Sequence, residues 1–350
     1  MNYQGTDIRP ISRIEYIDIM RGLGIIAVVA GHCNLAVKFV YLFHIPLFMF
    51  ICGMLNHHDS AQTAGELIKR IRHDIWKRYV PFVTVEIIFL AFHNIFYSLH
   101  WLPNEYNGSD YINMLIRIVT MGGGESLAGA LWFVIVLFEV TVGFEFLLLL
   151  KKFFPEKFSI ILLIIGIISL FIGYNFQMPR LLDRSALLLF YYIAGYLFSR
   201  HLTVWVEWSK KIPVLAMFLA ILIFASFYPV SYCSGNIIFS VFCACSGIMF
   251  SLGLSNLLSR CQIVKQLLKR YGNCSFYIMA YHFAGAKIVL SILALLKIVS
   301  ITDFNTLLPP ANTPLWLCIL LCLAGLEISC IICYFWKKVY GKFRNILPQW

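Results

Sequence analysis

The sequence predicts an all-α, polytopic membrane protein of about ten transmembrane helices, and three observations carry that expectation. Apolar residues make up 60% of the 350-residue chain and charged residues only 13%, against about a quarter charged in ordinary soluble domains. The apolar residues gather into runs close to the roughly 20 residues a helix needs to cross a bilayer. Strand-type alternation is missing from those runs. A lipid-embedded segment must satisfy its own backbone hydrogen bonds, so each run is read as a helix. One membrane domain over residues 1–350 then accounts for the chain, with 1–15 as a cytoplasmic lead-in and 337–350 as a cytoplasmic basic tail.

The runs follow in order. The first, 16–36, comes after a polar, mixed-charge lead-in that lacks the pattern of a cleavable signal. The second, 39–56, is rich in Phe, Leu and Ile around Pro46. The third, 79–100, is entered through Lys77-Arg78-Tyr79-Val80-Pro81 and carries Glu86 and His93, seven residues apart and so close to one helical face. A connection at 101–129 holds the turn signal Tyr106-Asn107-Gly108-Ser109-Asp110, an amphipathic stretch from Tyr111 to Met121, and Gly122-Gly123-Gly124. A connection this long is often functional. The fourth run, 130–150, opens on Leu131-Trp132-Phe133 and contains Glu139 and Glu145. The fifth, 158–175, is apolar throughout; the sixth, 185–199, is short enough to be tilted or partly re-entrant. Runs at 212–229, 236–258, 275–297 and 314–336 complete the set.

The net charge of +11 does not point to nucleic acid, because the basic residues sit in short connections between apolar runs. With the N-terminus inside, 21 of the 28 Lys and Arg residues fall on the inner side, Arg9, Arg13, Arg200 and Arg344 among them, and 5 on the outer side. That asymmetry predicts an N-in, C-in topology. The eleven cysteines lie mostly inside apolar runs. Cys330 and Cys333 have CxxC spacing but no His or carboxylate beside them, so they are read as small packing residues and no metal site is expected.

Ionisable groups inside a membrane helix are costly and call for a reason. Arg21 and His32 are eleven residues apart, which returns them to one helical face about 16 Å apart along the axis. A fixed cation toward the cytoplasm and an imidazole deeper in suit a long ligand with anionic groups at one end and a reactive group at the other. A snorkelling Arg and a hydrogen-bonded core His would look the same in isolation.

The surrounding residues are more specific. Ile17-Asp18-Ile19-Met20-Arg21-Gly22 leads to Gly31-His32, and the second run reads Phe43-His44-Ile45-Pro46-Leu47-Phe48-Met49-Phe50-Ile51-Cys52-Gly53. This arrangement resembles the acyltransferase-3 family of membrane O-acyltransferases. Weaker similarities are the basic-then-Pro entry at Lys77 to Pro81, Leu131-Trp132-Phe133, and Gly272-Asn273-Cys274-Ser275-Phe276-Tyr277 with His282. Cys52 departs from the family's usual Ser.

The resemblance implies an enzyme moving an acyl group, usually acetyl, from cytoplasmic acyl-CoA to a hydroxyl of a cell-surface glycan or lipid-linked saccharide. It implies a bacterial inner-membrane location, acetyl-CoA as donor substrate and no permanently bound cofactor. Arg21 and His32 carry the family's Arg-x10-His signature and are the expected catalytic pair. A neutral imidazole serves acyl transfer either as a base or as a transient acyl carrier, and sequence leaves both open. Arg21, Arg70, Arg72, Lys77 and Arg78 are the expected partners for CoA phosphates; ordinary positive-inside topology accounts equally for the loop residues. His44, Trp132, Arg180, Arg184 and His282 are expected acceptor-side residues. The competing reading is a transporter or flippase for a lipid-linked sugar, which predicts repeated halves or paired broken helices. Neither is visible in the sequence. A non-catalytic membrane subunit, with Arg21 and His32 as packing residues, is a third reading.

Overall fold

The computed structural model describes residues 15–199, 202–300 and 306–343. Arg9, Arg13, Arg200 and Arg344, part of the charge asymmetry, lie outside the described residues. The helices are α1 (Glu15–His32), α2 (Val37–Val40), α3 (His44–Met54), α4 (Ala64–Asp74), α5 (Val80–Ala91), α6 (His93–Ser98), α7 (Gly108–Val119), α8 (Trp132–Leu148) and α9 (Leu150–Phe153). They continue with α10 (Phe158–Asn175), α11 (Leu182–Phe198), α12 (Leu202–Ser209), α13 (Ile212–Ala225), α14 (Ile237–Leu258), α15 (Gln262–Asn273), α16 (Ser275–Leu295) and α17 (Leu315–Phe343). Among the described residues there is no strand, and the β-type pairing is an isolated bridge between Ser231 and Ser234.

Among the described residues, seven helical stretches are long and apolar enough to cross a membrane: Val37–Met54, Ser126–Phe153, Phe158–Asn175, Pro179–Phe198, Ile237–Leu258, Ser275–Leu295 and Leu315–Lys338. The other three expected runs are helical but differ in kind. α1 carries Glu15, Asp18 and Arg21 within its 18 residues. α13 is only 14 residues long. The third run breaks at Phe92 into α5 and α6. The break has a local cause: Asn94 donates through Nδ2 to the Tyr106 carbonyl and accepts from the Tyr106 amide, both at 2.9 Å, so α6 is bound to the loop that follows it. The sixth run is longer than its apolar residues indicate. Asp183 and Arg184 form the first turn of α11 rather than a loop, where the helix dipole favours the carboxylate.

The turn signal before the amphipathic stretch is a helix start. Asn107 accepts from the Ser109 and Asp110 amides while Asp110 accepts from the Asn107 amide. This capping box satisfies amide groups that the first turn of α7 would otherwise leave bare.

α1 sits at the centre, packed against α3, α14, α15, α16 and α17. Two crossings are tight enough to require glycine on both helices. A Cβ on Gly22 would collide with the Leu268 carbonyl, and one on Gly272 with that of Asp18, where α1 meets α15. Gly53 faces the Tyr192 carbonyl and Gly195 that of Phe50 in the same way, where α3 meets α11. Small residues of this kind let helix backbones approach in membranes, where lipid tails leave little hydrophobic force between helices. At the periphery, α10 leaves Ile160, Ile164, Ile167, Ile168 and Phe171 exposed, a continuous apolar face suited to lipid.

Candidate functional site

Arg21 lies on the second turn of α1, half-buried, and donates from Nη2 to Ser275 Oγ at 3.3 Å, at the start of α16. It lines a cavity of about 580 Å³ together with Lys77, Arg78, His58 and Cys52. Lys77 and Arg78 come from a π-helical turn, Ile75–Tyr79, that joins α4 to α5. Such turns recur at functional sites because the wider winding re-aims side chains. Arg78 also pairs with Asp74. Arg70 and Arg72 stand apart from this lining. Arg70 pairs with Glu66 and Glu145 and donates to the Asp59 carbonyl, and Glu145 also meets His58 Nδ1 at 2.5 Å. Arg72 is exposed on α4. Arg21, Lys77 and Arg78 are therefore brought together, while Arg70 braces the rim.

Phe133 and Met279 form part of this cavity's wall and also of a smaller chamber of about 100 Å³ that contains His32, Tyr41, His44 and Trp132. His32 ends α1. Beyond it Asn34 and Ala36 take left-handed conformations, and Asn34 Nδ2 donates to the carbonyls of Pro309 and Pro310 at 2.7 and 3.1 Å. The His32 ring stacks on that of His282 (centroids 5.3 Å apart, 28° between planes) and touches Phe283 at 4.9 Å. Its Nδ1 is buried, with no hydrogen-bond partner among the described residues. The neighbouring imidazoles are more constrained. His282 Nδ1 lies 2.8 Å from the Ile278 carbonyl and His44 Nδ1 lies 2.7 Å from that of Val40. A carbonyl only accepts, so both Nδ1 atoms carry a proton and both Nε2 atoms are bare when the rings are neutral.

A second large cavity, of about 410 Å³, adjoins the His32 chamber. Trp132 lines both, and Thr306 and Leu307 connect it to a further small space of about 20 Å³ that also touches His32 and His282. Glu86, Glu125, Ser126 and Trp101 line it. Glu125 Oε2 is 2.7 Å from His93 Nδ1, and the Glu125 amide donates to Glu86 Oε2 at 2.7 Å. Burial pushes the Glu125 carboxyl above the usual carboxylate range, opposed by the contact with His93. The Glu86 and His93 noted in the sequence thus meet through Glu125, which lies in the connection ahead of α8 and carries no periodic signal. Gly124 lets the Glu86 carboxylate approach the backbone here, since a Cβ would meet it and push it aside.

Arg180 and Arg184 line none of these spaces. Arg180 has a left-handed backbone, and Arg184 lies beside Asp183, Cys233 and Tyr232. Lys287, in α16, donates to the Thr306 carbonyl at 2.9 Å. Glu139 and Glu145 reach across to other helices, Glu139 accepting from Ser185.

The motifs singled out in the sequence converge. The Arg21–His32 face, the second-helix residues, the basic entry at Lys77 to Pro81, Trp132-Phe133 and Ser275 to His282 all border one connected set of spaces. No curated protein and no solved structure matches the chain. The model of the acyltransferase-3 family, described as an acyltransferase domain, matches residues 14–334, nearly the whole chain. With its seven long apolar helices and that match, the chain belongs to the acyltransferase-3 family and is a multi-pass membrane acyltransferase.

Proposed function

We propose that the protein transfers an acetyl group from cytoplasmic acetyl-CoA to a hydroxyl of a cell-surface glycan or glycolipid, in a bacterial inner membrane, with both termini inside and about ten helices spanning. One observation carries this reading: His32 stands between two large cavities, the Arg21 cavity on one side and the Trp132 cavity on the other. Arg21, Lys77 and Arg78 offer fork-type and point-charge contacts to the donor's phosphates, and the acyl end of a long donor is directed past Phe133 and Met279 toward His32.

At His32 two routes have the same balance. In direct transfer the imidazole takes the hydroxyl proton while the oxygen attacks the thioester carbonyl. The carbon–sulfur bond breaks, and the proton passes to the departing thiolate. In the stepwise route a bare imidazole nitrogen first bonds to the acyl carbon and expels CoA as its thiolate; the hydroxyl oxygen then takes the acyl group, the carbon–nitrogen bond breaks, and the hydroxyl proton ends on the thiolate. The stack on His282 holds the ring in place in either case.

Replacing His32 with Ala tests the proposal. Membrane insertion is checked first, then ester-linked acetate on surface glycans is quantified. Loss of that acetate is the expected result; full acetylation would overturn the reading. A transporter would instead lose saccharide movement with acetyl-CoA consumption unchanged.

A further inference from the structure

We propose that the 410 Å³ cavity is the acceptor subsite and that it takes an uncharged, polyhydroxylated ring, held by a hydrogen bond from a ring hydroxyl to Glu125 Oε1. The inference rests on the acyltransferase reading above and specifies the acceptor that reading leaves open.

The anchor is built rather than incidental. Glu125 is only 1% exposed, and Oε1 has no hydrogen-bond partner among the described residues, although the residue lines the cavity. Buried carboxylate oxygens without partners are rare and call for an explanation. The other oxygen is committed. His93 Nε2 lies 3.1 Å from the Asn104 carbonyl, which accepts only, so Nε2 carries a proton. His93 Nδ1 and Glu125 Oε2, 2.7 Å apart, therefore share one further proton. The pair is either imidazolium with carboxylate or imidazole with carboxylic acid. In both forms Oε1 retains only acceptor lone pairs, so its ligand must be a donor, as a sugar hydroxyl is.

The rest of the wall narrows the class. Glu86 adds a second carboxylate, and among the described residues no Lys or Arg side chain lines the cavity. The His93–Glu125 pair is neutral overall in either form, so an anionic ring would be buried with no counter-charge in this wall, which disfavours uronates, sialates and phosphorylated sugars. Trp101 and Trp132 supply flat apolar faces for the C–H face of a ring. Trp101 is fixed by its Nε1 donating to Ser291 Oγ at 2.8 Å and by stacking on Phe96 with 4° between planes. Trp132 is also part of the His32 chamber wall, so a ring seated here has an edge toward the imidazole. The cluster of Arg180 and Arg184, the alternative for an anionic glycan, lines none of these spaces.

The experiment compares the wild-type chain with Glu125→Leu, which removes the acceptor oxygen that an isosteric Gln would keep, and with Ser126→Trp. Ser126 is exposed at the cavity wall, so a Trp there fills the space without removing a buried contact. Acetyl-CoA binding to each purified protein is measured by calorimetry, and O-acetyl transfer is measured on the surface glycan of the expressing cells. The acetylated ring is identified by NMR. Expected are acetyl-CoA affinities within about twofold of wild type, transfer lowered about tenfold or more in each variant, and the acetyl ester on an uncharged ring. Wild-type transfer in either variant, parallel loss of acetyl-CoA binding, or acetyl on an anionic ring would overturn the assignment while leaving the acyltransferase reading intact. A wild-type chain that inserts normally but acetylates no glycan would remove the reading and this inference with it.

Discussion

At the scale of single residues, the proposed donor site turns on Arg21. One of its nitrogens makes a long contact to Ser275 Oγ, and the guanidinium otherwise borders the cavity. A planar fork binds phosphate oxygens in a way an ammonium does not. Arg21→Lys is expected to raise KM for acetyl-CoA about tenfold and Arg21→Gln by about a hundredfold, with a smaller effect on kcat. CoA release by the purified variants measures both, and an unchanged KM in Arg21→Gln would remove Arg21 from the donor site. The Arg21–His32 pair was legible because helical period alone places two residues eleven apart on one face. Arg70 was not separable from Lys77 in the sequence: a basic residue engaged by Glu66 and Glu145 reads the same as one facing a ligand. Glu125 was illegible because its character comes from His93, 32 residues earlier, and from burial that no local pattern encodes.

At the scale of elements, the glycine crossings explain why short motifs carry so much. Gly22 and Gly53, each inside a motif singled out in the sequence, set how closely α1 and α3 approach α15 and α11. Gly53→Ala would place a methyl group in the Tyr192 carbonyl and force the helices apart. A loss of about 1–3 kcal/mol is expected, read as a lower unfolding temperature in detergent. Gly143 lies in α8 with open space around it, and Gly143→Ala should be neutral or slightly stabilising by helix propensity. Equal behaviour of the two variants would contradict the close-approach account. The apolar runs were legible because lipid dictates their composition. Their ends were not, because caps and tertiary contacts set them: Asn94 breaks the third run by binding the Tyr106 backbone, and Asp183 extends the sixth.

At the scale of the whole molecule, the exposed face of α10 and the central position of α1 describe a protein with lipid outside and its polar chemistry inside. Two sizeable cavities border one chamber, and Phe133 and Met279 stand where the Arg21 cavity meets it. In the proposed reading, with the donor reaching the chamber from the inner side and the acceptor from the outer, these two side chains separate the two aqueous phases. A catalyst that passes an acyl group across must not pass protons with it, and an apolar constriction blocks ions by excluding water. Replacing both Phe133 and Met279 with Ala is expected to speed proton leak several-fold in liposomes loaded with a pH-sensitive dye. Equal leak rates for the double variant and the wild type would rule out that role. On that reading the bulk of these two side chains matters to proton retention as well as to the ester bond being made.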